Sequence, residues 1–220
     1  MKRRQELVES LLQHKAEHDW QGCREVLFRV LYGLPASAQL SLARFVIVRY
    51  LPIFEHKWSA IKWPAKLLSN LDEWLTRHGR SLPEEPADFD PADSAFVFAF
   101  DALLLASKYQ TDELILTSSC AAAVLSAINA RRCGVWIADD TEGVVMWGSQ
   151  GYFPGRGVTE SRPAIAVAER EWEEVAAWLT TQQVWIHAET VAPDEIESGL
   201  ARWKDREMSL MVPGNGIKAR

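Results

Sequence analysis

The chain has 220 residues, 48% of them hydrophobic and 25% charged, and a formal net charge of −6. That is enough apolar chain to bury a core in one sizeable domain or two small ones, and it excludes a disordered polymer. No apolar run reaches the roughly 18 residues of a membrane span; the longest, Ala95 to Ala106, is interrupted by Asp101.

The charge is unevenly placed. Residues 1–80 carry 13 Lys/Arg and 8 Asp/Glu, residues 81–199 carry 6 and 20, and residues 200–220 carry 5 and 2. So acidic a middle repels a phosphate backbone and an anionic membrane surface, which argues against both as partners. It attracts a basic protein. Cys23, Cys120 and Cys133 are odd in number and widely spaced, so they form neither a disulfide framework nor a CxxC pair. No apolar h-region follows the basic start Met1-Lys2-Arg3-Arg4. The expectation is a cytoplasmic protein in a reducing compartment.

In chain order, Gln5 to His18 has Leu7, Leu11, His14 and His18 at helical spacing. Asp19 caps a second predicted helix, Trp20 to Tyr32, which Gly33 ends. Ser37 opens a third, running to about Leu51, where Pro52 stops or kinks it. Pro64 suits the first turn of a fourth, closed by Gly79. Residues 81–93 read as an acidic, proline-punctuated linker. The next helix, Ala92 to Tyr109, is apolar on nearly every side and is expected to be central. Thr111 caps another, Asp112 to Arg132, rich in small residues.

From Cys133 the texture changes. Gly134 to Ala138 and Val144 to Trp147 are short β-prone runs, with a turn at Asp139-Asp140-Thr141-Glu142-Gly143 between them. Gly148 to Gly157 is a glycine-rich loop. Ala164 to Ala168 fits strand or helix, Glu169 to Thr181 is helix, Val184 to His187 is strand-like, and Pro193 opens a last helix to Arg206. The predicted fold is mainly α: a helical bundle or stacked α-hairpins of about six helices over residues 1–132. A small α+β region with a β-hairpin follows over 133–220, packed on the helices as one domain.

Candidate chemistry is sparse. His14 and His18 lie four apart, but Lys15 stands where a zinc protease needs Glu, so they read as the wet edge of an apolar stripe. Trp147-Gly148-Ser149-Gln150-Gly151 lacks the first glycine of a nucleophile elbow and reads as a polar turn. Gly155-Arg156-Gly157 lacks the Lys-Ser/Thr pair of a phosphate loop; Arg156 is the natural anion contact there, and the plainer reading is a surface loop. Asp101 sits in an apolar run and must be paired, protonated or turned into a cavity. An ion pair with Arg44 or Arg49 is its structural reading, and a ligand site shared with the Gly148–Gly157 loop its functional one. Glu169, Glu171, Glu173 and Glu174 crowd one helix as a solvated face.

By elimination, these features suggest a non-catalytic protein that binds a basic partner. An immunity or antitoxin-type inhibitor of a bacterial toxin fits, as does an adaptor or chaperone for a secreted effector. The alternative is an enzyme or small-ligand protein with its site at Asp101 and Arg156. The partner-binding candidates are Glu84, Glu85, Asp88, Asp139, Asp140, Glu142, Glu169, Glu173, Glu174 and, as an aromatic anchor, Trp178. No cofactor or metal is expected. A homodimer is compatible with the basic ends and the acidic middle.

Overall fold

A computed structural model describes residues 2–17, 19–57, 59–77, 95–138, 145–148, 151–154, 162–181 and 191–211. Among these residues nine α-helices follow one another: α1 (Lys2–Ala16), α2 (Trp20–Leu31), α3 (Ala36–Ile47), α4 (Leu51–Lys57), α5 (Trp63–Thr76), α6 (Ala95–Lys108), α7 (Glu113–Ala138), α8 (Arg162–Thr181) and α9 (Pro193–Met211). A 3-10 turn, Val48–Tyr50, joins α3 to α4.

The local causes are legible at most helix ends. Asp19 caps α2, its Oδ1 accepting from the Gly22 N–H at 2.9 Å. Gly33, at φ +82°, takes the left-handed conformation that stops it. Pro52 does not end the third helix as expected. The chain first tightens into the 3-10 turn, and Pro52 then occupies the first turn of α4, where its missing N–H costs nothing. Asp112, rather than Thr111, caps α7: its Oδ1 accepts from the Ile115 N–H at 3.1 Å.

The expected α+β region is corrected. In this structure 86% of the described part is helical. Gly134 to Ala138, β-prone by sequence, are the last residues of α7. The run is five residues with no clear period, so pattern alone does not separate strand from helix. Extending a formed helix adds a hydrogen bond per residue with no new nucleation cost, and that outcome prevails. Ala164 to Ala168 likewise belong to α8. β pairing among the described residues is confined to a ladder of four residues a side, Val145–Gly148 against Gly151–Pro154. It does not pair the segments predicted, and it makes no mixed region. Residues 81–93 and 184–187 lie outside the described residues.

The core has two parts. The larger is built on α7, whose Leu116, Cys120, Ala121, Val124 and Ile128 are buried among α2, α3, α6 and α8. Small residues along α7 let those helices come close. This corrects the expectation for α6: α7 is the central helix, and α6 leaves Leu105 45% exposed. The smaller cluster joins α2 to α9 through Phe28, Tyr32, Ile196, Leu200 and Trp203. Phe28 and Trp203 stack with centroids 5.2 Å apart. Gly199 permits this approach, since a Cβ there would lie 2.8 Å from ring carbons of Tyr32. α2 thus serves both clusters, with Cys23, Val26, Leu27, Val30 and Leu31 facing one and Phe28 and Tyr32 the other. Each large side chain buried in either contributes about 1.5–3 kcal/mol.

Candidate functional site

Because α9 is held by α2, a seam stays open between α9 and the α6–α7 hairpin. It is a groove of about 440 Å³. Ile115, Ser118 and Ala122 of α7 form its floor, at the i, i+3, i+7 spacing of one helix face. Leu105 of α6 and Tyr109, the residue that follows that helix, form one wall, Trp203 and Arg206 of α9 the other, with Arg24 of α2 beside Trp203. Leu105 and Tyr109 are the exposed large hydrophobic residues of the described chain, at 45% and 41%.

Both charged side chains lining the groove are arginines. The Arg24 guanidinium lies over the Trp203 ring, 4.6 Å from its centroid. Arg206, half exposed, reaches Asp112 Oδ2 at 3.7 Å, a loose pair. Among the described residues no cluster of three or more His, Cys, Asp or Glu is placed to hold a metal ion. No described helix is long and apolar enough to cross a membrane.

The residues singled out from the sequence fall elsewhere. Glu84, Glu85, Asp88, Asp139, Asp140, Glu142 and Arg156 lie outside the described residues, as does His18. Asp101 is on α6 and Glu169 on α8, with their side chains outside the description. Arg44, considered as a partner of Asp101, donates from Nη2 to Asp72 Oδ2 at 2.7 Å. Arg49 pairs with Glu174. Glu173 is exposed on α8, while Trp178 is half-buried against the main core.

Glu171 is not part of a solvated face. It is 5% exposed and accepts from the Tyr50 hydroxyl, while Glu174 one turn on meets Arg49. The two carboxylates dock α8 on the 3-10 turn. His14 has a structural partner that the sequence alone does not name: its Nδ1 lies 2.8 Å from Asp19 Oδ2 and braces the cap of α2. Burial pushes the Cys23 thiol up to about 12, with Asp19 adding to it, and burial raises Cys120 too. Neither thiol is a nucleophile near neutral pH.

The basic ends neutralise part of the acidic middle within the fold. Arg49 and Arg29 of the first segment bind Glu174 and Glu197 of the second, and Arg206 of the third approaches Asp112. Sequence reasoning misses the groove because a helix as apolar as α6 places Leu105 and Tyr109 in the core. The signal is nonetheless present: a helix apolar on every side has a face too many when its neighbours cover only part of it.

Comparison with protein-family models, with curated proteins and with solved structures finds no match for this chain.

Proposed function

We propose that this is a non-catalytic binding protein that seats a segment of a partner protein in the groove between α6, α7 and α9. The observation that carries this reading is the exposure of Leu105 and Tyr109 in the wall of an open, apolar groove. A second helix laid along it would bury both and complete the packing that α9 leaves unfinished. A stoichiometric inhibitor of the immunity or antitoxin type works in this way, and so does an adaptor or chaperone for a secreted effector.

The charge of residues 81–199 supports a partner that is basic as a whole. The pairing of Glu174, Glu197 and Asp112 with arginines narrows the carboxylates available for that attraction. Glu173, exposed on α8, remains a candidate; Glu174 is better regarded as structural. Cys23 and Cys120 are free thiols, which supports a reducing, cytoplasmic setting.

The test compares the full chain with a Leu105→Glu/Tyr109→Ser variant as bait in the source organism's lysate, at low salt. A stoichiometric partner should be retained by the first and reduced about tenfold with the second, as expected for two central interface anchors. Equal retention by both, or by neither, overturns the groove as the binding site.

A further inference from the structure

We propose that the segment seated in the groove is an amphipathic α-helix of the partner, carrying carboxylates along the edge of its apolar stripe that faces Trp203 and Arg206. This deepens the binding reading above and rests on it.

The shape argues for a helix. The floor runs along α7 from Leu114 to Ala122 and the facing wall from Ala102 of α6 to Tyr109 just past its end, about two turns in each case. A helix of two to three turns matches that length. Apolar residues at i, i+3 or i+4, and i+7 would meet Leu105, Tyr109 and Trp203, the same spacing that lines the floor at Ile115, Ser118 and Ala122. Ser118 and Ala122 are small, so the incoming backbone can approach closely. Leu105 and Tyr109 are exposed to solvent in the wall of the groove, which suits a macromolecular segment better than a small molecule needing enclosure on most sides.

The charge argues for carboxylates. Arg24, stacked over Trp203, and Arg206, held loosely by Asp112 at 3.7 Å, are the charged side chains lining the groove among the described residues, and both are cationic. Both lie on the Trp203 side of the groove, Arg24 over the ring and Arg206 three residues further along α9, where a bound helix would present the residues flanking one edge of its stripe. A carboxylate there gains a charge-assisted contact from each guanidinium. Lysines there would meet like charge, which costs affinity. Long-range attraction and local fit are separable: the acidic middle acts on the partner as a whole, and the arginines act on the one helix in the groove.

Fluorescence anisotropy with the full chain and labelled synthetic peptides of about 18 residues tests this. One probe carries a Leu stripe flanked by Glu, a second the same stripe flanked by Lys, and a third the Glu composition with the stripe scrambled. The Glu-flanked peptide should bind about tenfold tighter than the Lys-flanked one at about 50 mM salt, with the gap narrowing at about 300 mM. Arg206→Glu, at an exposed position, should shrink or invert that preference. Leu105→Glu/Tyr109→Ser should weaken the Glu-flanked peptide about tenfold. Tighter binding of the Lys-flanked peptide overturns the acidic flank and leaves the docking groove standing. Equal binding of the scrambled peptide overturns the helical stripe. Failure of all three peptides, with a lysate partner still captured through Leu105 and Tyr109, overturns the helix alone; failure of both experiments removes the binding reading too.

Discussion

Arg29 grips Glu197 with two parallel hydrogen bonds, Nε to Oε1 at 2.7 Å and Nη2 to Oε2 at 3.2 Å. The two residues are 168 positions apart in the chain and belong to segments of opposite net charge. The pair locks α2 to α9 beside the Phe28–Trp203 stack, and so helps fix the width of the groove. The Glu197 side chain is half exposed, which limits the strength of the contact. A double-mutant cycle with Arg29→Ala and Glu197→Ala should give a coupling of about 0.5–1 kcal/mol in urea unfolding, falling at high salt. A coupling near zero at low salt would mean that this pair adds nothing to the hold on α9, which then rests on the apolar cluster and on contacts such as Lys204–Glu25 at 2.7 Å.

The helices are legible in this chain because their ends carry chemistry. Asp19, Gly33, Pro64 and Pro193 mark boundaries for reasons of hydrogen bonding and backbone freedom that any fold must respect. The error at Gly134 to Ala138 has a different origin: no cap or breaker follows Arg132 at once, and a short apolar run takes its structure from what precedes it. The groove is harder still. Whether Leu105 is core or surface depends on where α9 docks, and that is decided by Phe28, Tyr32 and Trp203, far away in sequence. Charge counts suffer in the same way. A carboxylate on a helix is solvated or paired according to partners that only the fold brings near, as Glu171 and Glu174 show.

Tyr50 and Glu171 make the next case. Both are at least 95% buried, and the phenol donates to the carboxylate. Tyr50→Phe removes the donor and leaves a buried acceptor short of one bond, at a cost of about 1–3 kcal/mol. Glu171→Ala should cost about 2–4 kcal/mol through the lost bond and the space left behind. The double variant should fall short of the sum, because each single change already removes the bond that the two share. Full additivity in chemical denaturation would show that the two side chains act independently.

Gly33 provides a backbone test. Its φ of +82° disfavours any residue with a Cβ, and that Cβ would collide with Val191 Cγ2 in the approach to α9. Its N–H also donates to Glu113 Oε1 at 2.9 Å, tying the turn to the start of α7. Gly33→Ala should lower stability by about 1–3 kcal/mol. Adding Val191→Ala removes the collision but not the conformational strain, so only part of the loss should return in thermal unfolding. Complete recovery would assign the whole effect to packing.

The buried thiols predict a loss of stability in alkali. Cys23 is held near pKa 12 in the folded chain against an ordinary value of 9.0, chiefly by burial, and Cys120 is raised in the same direction. A raised folded pKa means the native state keeps its proton while the unfolded chain gives it up. The stabilisation is therefore fully present below pH 9 and is lost as pH rises from 9 toward the folded value. Burial, with Glu113 beside it, also raises Tyr32, which adds loss of the same sign at higher pH. Urea unfolding free energies should fall between pH 9 and 11 by up to about 1.4 kcal/mol per pH unit for each such thiol. Cys23→Ala creates a small cavity and lowers stability at every pH, but it should flatten the alkaline slope by one thiol's share. An unchanged slope in that variant would show that Cys23 ionises as readily in the folded protein as in the unfolded chain. Alkylation of Cys23 by iodoacetamide in the native protein at pH 8, read by peptide mapping, would point the same way by an independent route.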